Sequence, residues 1–380
     1  MSAPAPRILL TGLGLVAAPA LHDALDGKLA APPERAPEIT GFETPEGAPA
    51  FGFEAPEFKL EAHLPHIKSF VDRTSAFALA AAKLALADAG LLEREARPAG
   101  LELGCAYGTA LGCLEAMEIF WKKVKANPKF AAPLPFTHGY ANSPSSLLCI
   151  EFGLKGAAAT FSGEPLAGVE ALLFARDQLR RGSASCVLVC ASESLTRAAH
   201  AHAWAEKLLS PSGALRPWQG YDGAVPGEGG ACLVLETEAS AAARGAQAHA
   251  ELAAVQLAGG GGLAAAARPA LEKLGPQAGP ALLVTSAPGP RDAEEKSFWT
   301  AALPAGTAVA PKCFAGELLS AAPLAGAFLA ARALQAQRPA GSLPGAWNLG
   351  ANAAHEPPAV AFIDALDAGG PSAVFALKAV

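Results

Sequence analysis

The chain has 380 residues, 51% of them apolar and 17% charged, with a formal net charge of −6. So much apolar sequence can bury a large core, as one big domain or as two intimately packed halves. The acidic balance and the lack of a dense Lys/Arg face exclude nucleic acid as the main partner.

Residues 7–16, Arg-Ile-Leu-Leu-Thr-Gly-Leu-Gly-Leu-Val, are an apolar run broken by Gly12 and Gly14. They predict a first strand and a glycine turn rather than a signal peptide. No apolar stretch approaches the roughly 20 residues of a membrane span, so a soluble, cytoplasmic chain is expected. Residues 31–58, rich in Pro, Glu and Gly, predict an irregular surface segment. Asp72-Arg-Thr-Ser followed by residues 76–89 predicts a capped, alanine-rich helix stopped by Gly90. Residues 101–104 predict a core strand, and 104–112 a glycine-punctuated turn into a helix. That turn lacks the G-x-G-x-x-G order and a following P-loop lysine, so its glycines imply close backbone packing rather than phosphate binding. Lys122, Lys123, Lys125 and Lys129 after Trp121 predict a solvated helix face. His138 has no nucleophile or ligand partner at a recognisable spacing, and is expected to be a structural or interface residue.

Residues 157–161 predict a short strand, Ser162-Gly163 a tight turn, and 165–180 a helix with Pro165 at its first position and Glu164 at its positive end. Ser162 therefore sits at a strand-to-helix elbow, a geometry that exposes a nucleophile in many acyl-transfer enzymes. Residues 185–191 form a buried strand. The segment 216–236, Arg-Pro-Trp-Gln-Gly-Tyr-Asp-Gly-Ala-Val-Pro-Gly-Glu-Gly-Gly and then an apolar strand, is followed by Ala, Gly and Leu over 246–280 and by a strand at 281–285. The alternation of apolar strands with alanine-rich helices predicts an α/β fold. Seven cysteines (105, 113, 149, 186, 190, 232 and 313) stand mostly inside apolar runs without a paired C-x-x-C, and read as core residues of a reduced protein.

The run 153–194 resembles the active-site segment of the β-ketoacyl-acyl-carrier-protein synthases, condensing enzymes of the thiolase-like fold. It supplies Gly153, Gly156, Thr160 and Phe161, then Ser162 where the family's cysteine belongs, and later Arg180, Arg181 and Gly182. Arg216, Pro217, Asp222, Gly223, Val225, Gly227, Glu228 and Gly229 fall into register with a second family signature. Lys312 and Gly316 match a third, in which Glu317 occupies a histidine position and Ser320 a glycine position. The family's other histidine has no counterpart from 284 to 292, where Ser286 follows the strand. Gly369 and Gly370 match a glycine turn that in the family admits acyl chains, with Asp367 beside it and Ala368 at the position of its phenylalanine. The resemblance covers nearly the whole chain, most strongly 101–236 and least 246–310. It implies a five-layer αβαβα architecture of two related halves, 1–245 and 246–380.

Decarboxylative condensation needs a thiolate and donors that stabilise the enolate. A serine hydroxyl stays protonated near neutral pH and needs an adjacent base. Glu164, a candidate pocket or oxyanion-site residue, and Glu317, in a Ser162–Lys312–Glu317 cluster, are the acids within reach of that role. The simpler reading makes Lys312 and Glu317 a buried pair filling the space of two imidazoles. No intact catalytic set and no metal or cofactor site is expected. The resemblance thus implies a catalytically silent subunit similar to the chain length factors of type II polyketide, aryl polyene or fatty-acid-like systems. Such subunits pair as a heterodimer with an active ketosynthase, complete its acyl tunnel and serve an acyl carrier protein, which could use the Lys122–Lys129 face. Those subunits usually carry glutamine in place of the cysteine, and Ser162 departs from that as well. Two other readings stand beside it: an acyltransferase or hydrolase using Ser162, and a homodimeric scaffold.

Overall fold

The computed structural model describes residues 5–67, 70–163, 165–275, 280–350 and 356–380. In chain order its strands are β1 (Ile8–Ala17), β2 (Leu103–Thr109), β3 (Ala158–Ser162), β4 (Cys186–Glu193), β5 (Gly229–Thr237), β6 (Ala250–Ala258), β7 (Ala281–Val284), β8 (Thr307–Val309), β9 (Trp347–Asn348), β10 (Val360–Leu366) and β11 (Ser372–Lys378). Among the described residues they hydrogen-bond in the order β3-β2-β4-β5-β1-β6-β11-β10-β7-β8-β9. From β3 inward to β1 the pairings run parallel, parallel, antiparallel, antiparallel. From β8 inward to β6, through β7, β10 and β11, the same sequence repeats. The two halves are thus one motif used twice. They meet where β1 touches β6 over only Leu9↔Glu251 and Leu10↔Ala250.

The side chains explain the layers. In β4, Val187, Val189 and Ala191 point into a central core, while Cys186, Leu188 and Cys190 point into an outer one. In β10, Ala361 and Ile363 face the centre, while Val360 and Phe362 face the other outer core. Period-two alternation with both faces covered is why these strands read as continuous apolar runs. The central layer holds the helices Ala167–Arg180 and Ala322–Ala336. The helix Arg73–Asp88 covers one outer face, and the helices Gly262–Leu274 and Asp292–Ala302 cover the other. This is the five-layer αβαβα order. The cysteines are all free thiols, six buried and Cys149 half-buried.

Three local expectations need correction. Gly12 and Gly14 lie within β1, where only a register shift after Leu10 marks the sequence. A Cβ on Gly14 would stand 2.0 Å from the Ala81 carbonyl oxygen, so this glycine lets the helix Arg73–Asp88 lie directly on the strand. Gly104 and Gly108 likewise lie within β2, and a Cβ on Gly108 would stand 2.6 Å from the backbone of Ala167 and Gly168. Finally, the helical run Leu319–Ala336 has the length and composition to cross a membrane. Most of it is buried, because it is a central helix between the two halves of the sheet and is apolar nearly all round.

Candidate active-site cavity

Among the described residues β3 is the sheet's edge and pairs only with β2, bringing Ser162 opposite Thr109. The elbow after it is tight: Gly163 takes φ +95° and its N–H donates to the Thr109 carbonyl at 3.2 Å. The helix then begins at Ala167, two residues later than Pro165. Ser162 is exposed, and its hydroxyl has no hydrogen-bond partner among the described residues. Glu164 lies outside the described residues.

Behind the elbow a cavity of about 250 Å³ opens between the halves. Leu166, Val284, Ala325, Gly326 and Ile363 give it an apolar side, and Ser286, Lys312, Glu317, Asp367 and Ala368 are on its wall. The cavity therefore gathers the residues from the second half of the chain. Ser162, Gly369 and Gly370 are not on its wall: Ser162 ends an edge strand facing outward, and the two glycines lie in the turn beyond Ala368.

The Lys312 ammonium sits 2.5 Å from Glu317 Oε2, and Glu317 Oε1 accepts from the Leu319 N–H at 2.9 Å. Glu317 therefore neutralises the lysine and caps the helical turn after it. The Glu317 N–H donates to Val225 O (2.7 Å) and its carbonyl accepts from Gly227 N (3.0 Å), clipping two signature segments together across the halves. Within the 216–236 signature the acids are structural: Glu228 takes a forked ion pair from Arg73 (2.6 and 2.8 Å), and Asp222 accepts from the hydroxyls of Ser210 and Ser212.

Ser286 stands above two buried carboxyls that sequence reasoning did not single out. Its N–H is shared between Asp364 Oδ1 (2.7 Å) and Glu295 Oε1 (3.0 Å), and its hydroxyl donates to Glu295 Oε1 at 3.3 Å. Glu295 also accepts from Thr285 Oγ1 and from Trp218 Nε1, and Asp364 from Trp299 Nε1. Burial first, and then the neighbouring Glu295 charge, push the Asp364 carboxyl well above the ordinary range. Asp292, which accepts from the N–H groups of Gly289 and Trp218, is pushed up to about 6, chiefly by burial. The only sequence signals for this network are the i, i+3 spacing of Asp292 and Glu295 and a lone acid in the apolar strand β10.

Ser320, at its glycine position, donates its hydroxyl to the buried Glu193 of β4. His138 is half-buried beside Phe70, its buried Nδ1 without a partner among the described residues. It borders an exposed aromatic series: Trp121, Phe120, Phe136 and Tyr140 touch in turn, with ring centroids 5.0–5.4 Å apart.

Fold and site together define a thiolase-like protein whose cavity, among the described residues, is lined by no histidine and no cysteine. The family model for the beta-ketoacyl synthase N-terminal domain matches residues 36–241. The chain belongs to the β-ketoacyl synthase family, as a degenerate member similar to chain length factors. Over 217 residues it is 30% identical to the granaticin polyketide putative beta-ketoacyl synthase 2 of Streptomyces violaceoruber, covering 55% of this chain and 52% of that protein. Over 262 residues it is 32% identical to the tetracenomycin polyketide synthase ketoacyl synthase beta subunit of Streptomyces glaucescens, covering 65% and 62%. These matches span between about half and three fifths of the relatives' length. Among solved structures it is similar to the ishigamide ketosynthase/chain length factor, with a TM-score of 0.84, 22% identity, and coverage of 99% of this chain and 100% of that one. A further similar structure is a type II polyketide acyl-carrier protein in complex with its ketosynthase, with a TM-score of 0.80, 19% identity, and coverage of 99% and 100%.

Proposed function

We propose that this chain is a catalytically silent subunit of the chain-length-factor type. It pairs with an active β-ketoacyl synthase and shapes the acyl tunnel of a type II polyketide, aryl polyene or fatty-acid-like system. The observation that carries the reading is the state of the cavity's polar end. Glu317 is spent on Lys312 and a helical cap, the Ser286 hydroxyl is directed at Glu295, and Ser162 is exposed, off the cavity wall and, among the described residues, without a base against its hydroxyl. A serine hydroxyl with no base against it stays protonated, and among the described residues Ser162 has none, which favours the silent-subunit reading over the acyltransferase one. What remains is an apolar volume that can measure a chain, since a methylene that fits is favourable and one that clashes is not.

The aromatic surface beside the edge strand supports a protein partner. Trp121 on the helix Leu114–Ala126, Phe136 on the helix Pro133–Thr137 and Tyr140 just after it are exposed, and so, by 73%, is Ile150 on the helix Ser143–Phe152 that packs against β3. Surfaces of this kind are usually covered. The exposed Lys122, Lys123 and Lys125 alongside suit an acidic carrier protein.

The test is a pull-down of the tagged chain from its native host with native mass spectrometry of the eluate. Recovery of a ketosynthase carrying cysteine and two histidines, in one-to-one ratio, is expected. Elution of the chain only with itself would favour the homodimeric scaffold and sink the pairing.

A further inference from the structure

We infer that Arg291 is a specificity-determining residue: it locks the turn between β10 and β11 against the N-terminus of the helix Asp292–Ala302 and so fixes one wall of the cavity. The function of that wall rests on the chain-length reading, but the lock itself is independent of it.

Pro290, Arg291, Asp292, Asp367 and Ala368 all line the cavity, so the wall is built from two segments distant in sequence. Arg291 joins them. Its Nη1 is within hydrogen-bond distance of the carbonyls of Asp367 (3.2 Å), Gly370 (3.0 Å) and Pro371 (3.0 Å), and of Ser372 Oγ (2.9 Å). Its other face is held by Glu294, through Nε at 2.9 Å and Nη2 at 2.8 Å. Glu294 is anchored in turn, because its Oε1 accepts the Leu263 N–H at 2.7 Å at the start of the helix Gly262–Leu274. The Arg291 side chain is only 13% exposed. A guanidinium so placed cannot swing into water without leaving several carbonyls bare, and its planar fork is what lets it meet both sides at once.

The turn is also tied within itself. Asp367 N donates to Pro371 O, Gly370 N to Asp367 O, and Gly369 N to Asp367 Oδ1. A turn bonded internally and clamped from outside is a fixed stop rather than a flap. Lengthening the cavity at Asp367 and Ala368 requires breaking the Arg291 contacts.

The experiment uses the full chain and its Arg291→Ala and Arg291→Lys variants. Hydrogen–deuterium exchange is followed in peptides covering 364–374, with peptides of β1 and β5 as the folding control. A graded series of straight-chain fatty acids then gives the longest chain each protein binds. In Arg291→Ala, exchange in the turn should quicken by about tenfold or more while β1 and β5 stay protected, and the chain-length limit should rise. Arg291→Lys keeps the charge without the fork and should fall between. Where Arg291→Ala does not fold, Arg291→Lys and Ser372→Ala carry the same comparison. Unchanged exchange in the turn, or the same limit in every protein (including binding by none), overturns the inference. None of these readouts needs the partner ketosynthase, so failure of the pull-down and failure of the lock are distinguishable.

Discussion

Glu193 is fully buried in β4, with its carboxylate surrounded by donors: Ser320 Oγ, the N–H groups of Ala110 and Leu111, and Thr109 Oγ1. Burial raises its pKa to about 7 even so, and the hydrogen bonds, that of Ser320 first, only offset part of the shift. A carboxyl whose folded value lies above its unfolded one holds a proton that the unfolded chain has already lost. It therefore costs nothing below the unfolded value and destabilises the fold progressively as pH rises from about 4.5 to about 7. Glu193→Gln removes that dependence. Relative to the native chain, the variant should gain on the order of 2–3 kcal/mol between about pH 5 and about pH 8, whatever its offset at the lower pH. Guanidinium unfolding at both pH values checks this, and a difference that stays constant with pH would refute it. Ser320 matters here because a glycine in its place could not donate: the departure from the family's glycine is tied to one buried acid.

Among the elements, the helix Arg73–Asp88, β1, the start of β6 and the helix Ala322–Ala336 meet at His249. Its Nε2 lies 2.7 Å from Asp88 Oδ2, its Nδ1 lies 3.1 Å from Gln335 Oε1, and its N–H donates to Leu10 O. Burial opposes the charged imidazole, as does Arg332 less strongly, but the Asp88 and Gln335 hydrogen bonds and the Asp88 charge prevail and raise its pKa. Stability from this junction is complete below the unfolded histidine value and is lost as pH rises through the higher folded one. His249→Gln should cost about 1 kcal/mol at about pH 6, a figure kept small by solvent screening, and less at about pH 9. Chemical denaturation along a pH series measures it, and a cost that grows with pH would contradict the assignment. Neither His249 nor the Glu295–Asp364 network was legible in the sequence, because each joins residues tens of positions apart, and an isolated acid or histidine carries no periodic signal. Lys312, Glu317, Asp367 and Ala368, which the structure brings to the cavity wall, stood out because they sit inside contiguous motifs; Ser162, Gly369 and Gly370 stood out in the same way and are not on that wall. The strands were legible from two-sided burial. Gly14 was read as part of a turn, since a sequence does not say whether a glycine bends a chain or admits a helix against it, and it lies in a strand. The close backbone packing expected of the glycines in 104–112 is found at Gly108, with only its place inside a strand missed.

For the molecule as a whole, Ser162 and the aromatic surface belong to one region. β3 ends at Ser162, has no strand on its outer side among the described residues, and is flanked by the helix Ser143–Phe152, which leaves Ile150 73% exposed. Phe136 and Tyr140 continue the apolar surface from the neighbouring segment. A partner seated there would cover the half-exposed edge strand and bring its own residues close to the mouth behind Ser162. A shared tunnel requires that arrangement. Such an interface draws most of its affinity from a few aromatic or aliphatic anchors near its centre. Ile150→Glu places a charge on that surface at a largely exposed position, so the isolated chain should keep its stability to within about 0.5 kcal/mol, whereas Phe136→Glu also gives up its ring contacts with Phe120 and Tyr140 and should cost about 1 kcal/mol. Pairing with the proposed ketosynthase partner should weaken by about 30-fold or more, because each buried carboxylate would lose its water without gaining a counter-charge. Co-purification and native mass spectrometry of the two variants read both effects. Undiminished pairing in both would place the partner elsewhere and leave Ser162 open to solvent. Loss of pairing in a chain that melts at the native temperature would make this face the interface with the proposed partner.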